Sequence, residues 1–169
     1  LKPIEKDKLV NALEKCAEVI LLGRKVDSQN VFIRNILQAV EQSSSIVVIA
    51  DKDLAIQYVN RKFTDLFGYS TAESKALSPF DLISPECEPQ TARKIRSAIA
   101  LSGEWHGELI NRTKQGLDVW VSLSITSVAD ASGISRNFIF VEEDISHKKK
   151  AEFALHESEE RLRTLINST

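Results

Sequence analysis

At 169 residues, with 43% hydrophobic and 27% charged residues, the chain has the make-up of a soluble globular protein, with room for one domain and long flanking helices. A formal net charge of -2 excludes a general electrostatic pull toward nucleic acid or an anionic membrane, and no apolar run reaches bilayer length. Cys16 and Cys87 stand far apart and read as free thiols of a reducing compartment, so the expected location is the cytoplasm, with a membrane anchor elsewhere in a longer parent left open. No secretory signal is visible, and the chain runs from Leu1 to a Thr169 inside a helical pattern, as a piece of a longer protein would.

Residues 4 to 40 carry a helical pattern. Leu9, Leu13, Cys16 and Ile20 recur at spacings of four and three, a seam of the coiled-coil kind, and Ile33, Ile36, Leu37 and Val40 continue an apolar stripe. Gly23 predicts a helix stop, with Asp27 or Ser28 capping a second helix. The stripe suits either packing on the chain's own domain or a dimer helix. Ser43-Ser44-Ser45 marks a boundary. Ile46 to Ala50 and Ala55 to Val59 read as strands around an Asp51-Lys52-Asp53 turn. Asn60 opens a helix with Phe63, Leu66 and Phe67 on one face, ended by Gly68-Tyr69. Ser70 or Thr71 caps a further short helix, with Glu73 in its first turn. Pro79, Pro85 and Pro89 predict irregular chain over 78 to 89. Thr91 to Leu101 is a helix with Ala92, Ile95 and Ile99 inward, stopped by Ser102-Gly103.

Three antiparallel strands follow. Trp105 to Thr113 turns at Lys114-Gln115-Gly116 into a strand whose Val119, Val121, Leu123 and Ile125 alternate with Trp120, Ser122, Ser124 and Thr126. Asp130 to Gly133 then turns the chain into Phe138 to Val141. Five short strands around central helices make an α+β domain, one sheet with helices on one face. No internal repeat of fixed period is present. At Asp144, Ile145 and Ser146 the last strand gives way to a polar helical run. Ser146, with Asp144 as an alternative, can cap it. Lys148 to Lys150 sit at the wrong end for the helix dipole, which predicts a soft first turn. Ala151, Leu155, Ser158, Leu162 and Leu165 keep heptad spacing, and Glu157–Arg161 and Glu159–Arg163 are i,i+4 pairs.

Strand alternation turns Leu109, Asn111, Val121, Leu123, Phe140 and Glu142 toward the helices. Asn111 and Glu142 are the polar exceptions, and a buried amide or carboxylate needs a partner. Each other, a nearby backbone group, an ordered water or a ligand could serve. No catalytic or metal-binding constellation stands out. His106, His147 and His156 lack ligand spacing with the cysteines, the six glycines form no phosphate loop, and His147 is followed by Lys148 rather than the acidic residue usual after a phosphoacceptor histidine.

Residues 36 to 150 resemble a PAS sensory domain with its C-terminal PAC motif. The fragments that carry the resemblance are Tyr58-Val59-Asn60, Phe63, Phe67-Gly68-Tyr69-Ser70, Trp105-His106-Gly107-Glu108, Asn111 to Gly116 and Glu143-Asp144-Ile145-Ser146, in family order and spacing. The resemblance implies strand order 2-1-5-4-3 around a small pocket. It also divides the chain into a helical segment at 1–42, the PAS domain at 43–146 and a signalling helix at 147–169 that leads to a further sensory domain or an output domain, such as a histidine kinase or diguanylate cyclase. Its expected role is that of a sensory and dimerisation module, a homodimer through the flanking helices. An unidentified small molecule is its conceivable ligand; nucleic acid and direct membrane contact are not expected. The alternatives are a flavin-bound redox or light sensor and a passive dimerising spacer. No cofactor is expected. In the light-sensing branch Pro79 falls at the reactive cysteine, Val121 at a flavin-binding amide, Glu142 at a glutamine and Phe140 at a small residue, while haem members use a histidine on the long helix, which has none here.

Overall fold

The computed structural model describes residues 3–129, 133 and 136–168, without the side chains of 3–19, 21, 22 and 136. The chain divides into two compact units, Leu1–Glu41 and Gln42–Thr169. The first is a single helix, α1, spanning Pro3–Glu41. The expected break at Gly23 does not occur. An interior glycine costs a helix only about 1 kcal/mol relative to alanine. Ser28, proposed as a cap, instead donates its hydroxyl to the Lys25 carbonyl at 2.9 Å, inside the helix. The expected seam at Leu9, Leu13 and Cys16 falls on side chains outside the description.

The second unit holds β1 (Ile46–Ala50), β2 (Ile56–Val59), α2 (Arg61–Phe67), α3 (Thr71–Ser74), a 3-10 turn (Pro79–Leu82), α4 (Thr91–Ser102), β3 (Glu104–Arg112), β4 (Asp118–Ala129), β5 (Arg136–Asp144) and α5 (Ser146–Asn167). The strands form one five-stranded antiparallel sheet in the order β2-β1-β5-β4-β3. The last strand made is therefore the central one. It extends beyond the expected Phe138 to Val141 because Glu142, Glu143 and Asp144, polar in sequence, continue the ladder opposite Leu123, Ser122 and Val121. The expected turn at 130–132 lies outside the described residues.

Local signals set most element ends. Asn60 is fully buried, and its side-chain oxygen accepts from the Val47 and Phe63 amides at 3.0 and 3.3 Å. Its amide donates to the Ser45 carbonyl at 2.9 Å, so one residue caps α2 and fastens the start of β1. Gly68 ends α2 at φ 78°, a left-handed conformation that glycine adopts without strain. Ser70 and Glu73 form a reciprocal capping box on α3, and the Lys114 ammonium and the Ser70 bonds hold the Glu73 carboxyl at about 2. The proline-rich stretch is more regular than expected. Pro79 opens the 3-10 turn, where its missing N–H costs nothing, and Ser78 and Asp81 cap it reciprocally.

The core lies between the inner face of the sheet and the helices. Ile46, Val48, Val121 and Ile125 meet Phe63, Phe67, Leu82, Ile95 and Ile99 there, all nearly or fully buried. Along β4 the buried positions are Val119, Val121, Leu123 and Ile125, the alternation read from the sequence.

Candidate functional site

All six inward side chains, Leu109, Asn111, Val121, Leu123, Phe140 and Glu142, are 5% exposed or less. Asn111 on β3 and Glu142 on β5 meet across β4, which pairs with both strands. The Asn111 Nδ2 donates to Glu142 Oε2 at 2.9 Å, the first of the partners that the sequence left open. One need remains unmet: Asn111 Oδ1 is buried without a protein hydrogen-bond partner. Burial pushes the Glu142 carboxyl up to about 7, against the opposing pull of the Asn111 hydrogen bond.

Around the pair the interior is filled with rings. Phe80 meets Phe140 edge-on at 6.3 Å, and the Arg96 guanidinium covers the Phe80 ring at 4.3 Å. Phe63 and Phe67 lie 5.1 Å apart. Cys87 sits at the edge of this region, its thiol bonding both backbone groups of Ile110 at 3.3 Å. Among the described residues no cluster of His, Cys, Asp or Glu could hold a metal ion. His106 lies on the outer sheet face, its Nδ1 2.8 Å from Ser124 Oγ.

Where β5 becomes α5, the structure differs from the sequence-based expectation. Asp144 accepts from the Ser146 amide at 2.9 Å, whereas Ser146 does not cap the helix. Its hydroxyl accepts instead from the Trp120 amide at 3.2 Å, and the buried Ile145 donates its N–H to the Trp120 carbonyl at 2.9 Å. Of the first-turn lysines, one is held against the sheet. Lys149 pairs with Glu108 on β3 and with Glu152, and its ammonium lies 5.0 Å from the Trp120 ring centroid. Glu108 raises the proton affinity of Lys149, and Lys149 lowers that of Glu108. The cation sits at the unfavourable end of the helix dipole but is anchored on the sheet. Glu157 pairs with Arg161 at 2.6 Å as expected, but the expected Glu159–Arg163 pair does not form. The Glu108–Trp120–Lys149 cluster was not foreseen. The alternation that puts Glu108 and Trp120 on the outer face was visible, but nothing showed that α5 would fold back toward it.

Residues 43–147 match the model of the PAS domain. The chain belongs to the PAS domain family. An oxygen sensor protein of Escherichia coli is 25% identical over 118 residues, covering 69% of this chain and 15% of the relative. A blue-light-activated histidine kinase of Erythrobacter litoralis is 27% identical over 135 residues, covering 76% of this chain and 36% of the relative. The chain thus spans well under half the length of either. A crystal structure of a PAS domain from Colwellia psychrerythraea superposes with a TM-score of 0.62 at 19% identity, covering 69% of this chain and 98% of that one.

The family contains flavin binders, and three interior positions of this PAS domain depart from the light-sensing flavin site. Phe140, edge-on to Phe80, puts a ring where the light-sensing branch has a small residue, the Val121 side chain offers no hydrogen bond, and Pro79 is a buried helix-opening residue without a thiol. The domain is a sensory module, and no helix among the described residues is long and apolar enough to cross a membrane.

Proposed function

We propose that this PAS domain is the sensory and dimerisation module of a bacterial signalling protein. A change at the Asn111–Glu142 pair or at an interface is passed through Asp144, Ile145 and Ser146 to α5, and from there to a C-terminal output domain. The observation that supports this most is the fastening of the β5–α5 junction to β4 through Trp120 and of Lys149 to the outer sheet face. A displacement of the central strand then has a direct route into the helix axis. The exposed Leu155, Leu162 and Leu165 of α5 supply a seam for a second copy, and a shift between two packings of the paired helices is the output. On this reading the chain works in the cytoplasm, without catalytic activity of its own and without nucleic acid or direct membrane contact.

The test is a disulfide lock, Leu155→Cys, in the full-length parent. Locking the seam should raise or abolish output, with recovery on reduction; an indifferent output would sink the proposal. The names of the relatives suggest a cofactor-bound oxygen or light sensor as the other reading. A visible absorption band in the purified chain would favour that reading. The passive-spacer reading predicts that substitutions at Asn111 and Glu142 leave signalling unchanged while Leu162 substitutions disturb it.

A further inference from the structure

We infer that the ligand of the Asn111–Glu142 site is a proton, and that Glu142 is a proton receptor built into the central strand two residues before the junction with α5. This deepens the sensory reading above and rests on it for its downstream effect, but not for the proton binding itself.

The argument starts from what the pair leaves unsatisfied. Glu142 is 2% exposed, and one amide N–H, from Asn111 Nδ2, is the side-chain hydrogen bond it receives. An ionised carboxylate in such a place is usually held by a cation or by several donors. Opposite it stand Ile46 on β1 and Leu123 on β4, both apolar. The elements packed on that face carry charges at their surfaces: Arg61, Lys62 and Asp65 on α2, Glu73 on α3, Asp81 on the 3-10 turn, and Arg93, Lys94 and Arg96 on α4. None of these is buried, and none is among the influences on Glu142. Arg96 covers the Phe80 ring, Lys94 is held by Glu88, and Glu73 by Lys114. The interior therefore offers no countercharge, and neutralisation by a proton is the remaining way to remove the buried charge.

Asn111 supplies the readout. While Glu142 is ionised, Nδ2 must face it, and Oδ1 is left as a buried acceptor with no protein partner. When the carboxylate takes a proton from solvent it becomes a donor, and no other covalent bond changes. A half-turn of the Asn111 amide then brings Oδ1 to the carboxyl O–H. The free end of the amide changes from acceptor to donor. One proton is thereby converted into a reversed hydrogen bond between β3 and β5, and β5 runs straight into α5.

Infrared difference spectroscopy of the 169-residue chain, titrated with pH, tests this directly. A protonated-carboxyl band should vanish with a midpoint near 7, well above the usual carboxylate range, and should be missing in Glu142→Gln. Asn111→Leu removes the one hydrogen bond that favours the ionised form, so the midpoint should move higher. That shift keeps the test decisive if Glu142→Gln fails to fold. Absence of the band at mildly acidic pH, or a midpoint in the ordinary carboxylate range, would overturn the proton site. Hydrogen exchange of the amides from Asp144 to Lys149 across the same titration reads the coupling. A titrating Glu142 beside an indifferent Leu155 lock would leave the proton site standing and remove the helix-signalling reading. An effective lock with no titrating carboxyl would do the reverse.

Discussion

The inner face of the sheet and the surface of α5 carry equally regular apolar patterns but meet opposite fates. Phe63, Phe67 and Phe140 are at most 2% exposed, while Leu155, Leu162 and Leu165 are 62%, 58% and 66% exposed. Each buried large side chain is worth roughly 1.5–3 kcal/mol of transfer free energy, and each exposed one returns nothing until something covers it. Periodicity states that a face should be buried; it does not state who supplies the cover. In the sheet domain the chain covers itself. Along α5, as at Ile33, Ile36 and Leu37 of α1, the cover must come from outside the helix, because an isolated helix gains too little from its own hydrogen bonds.

The sharpest way to break this contrast is to empty the covered face. Phe140→Ala should cost about 3–5 kcal/mol in urea unfolding with an unchanged m-value, since the Phe80 ring that meets it cannot close the gap alone. Next in size is the pH dependence contributed by Glu142. Its carboxyl rises from 4.5 to about 7 on folding, so between those values the folded state binds more protons than the unfolded one. That contribution to stability is complete below pH 4.5 and is lost as pH rises to about 7, up to ~3 kcal/mol by linkage. The difference between wild type and Glu142→Gln isolates it from the exposed acids Glu73, Glu108 and Asp118, whose lowered values act in the opposite direction.

Asn60→Ala should cost about 1–2 kcal/mol, because it removes the cap of α2 and leaves the Val47 amide without its acceptor. Lys149→Ala acts at the border between the two regions. It should lower global stability by no more than about 1 kcal/mol, yet hydrogen exchange in the first turn of α5 should quicken while the sheet amides stay protected. The smallest effect on folding belongs to Leu162→Glu. Unfolding of the isolated chain should change by less than about 0.5 kcal/mol, while self-association in sedimentation velocity weakens. Undiminished association would show that α5 is not the dimer seam.

The sheet and the inward set were legible because alternation, turn residues and helix caps agreed at each step, as at Val119 to Ile125 and at Ser70–Glu73; the strand order came only from the resemblance to the PAS family. The Asn111–Glu142 bond could be proposed from strand parity alone, since parity put both polar groups on the covered face. What stayed hidden depended on tertiary placement. Gly23 reads as a stop in any window, but the surrounding residues carry α1 through it. Ser146 has the chemistry of a cap, but the Trp120 amide, 26 residues away in sequence, claims its hydroxyl. Lys149 opposes the dipole locally and is repaid by Glu108 and the Trp120 ring, neither of which its neighbours in sequence reveal.

The position of β5 has a consequence for how the molecule comes into being. The two hairpins β1–β2 and β3–β4 flank it, and it is the last strand to leave the ribosome. Until Arg136–Asp144 has emerged, no strand of one hairpin pairs with a strand of the other, so the sheet is completed only at the end of the domain and closes over long sequence separations. A message truncated between β4 and that strand yields two hairpins with bare edges, food for proteases rather than a smaller sensor.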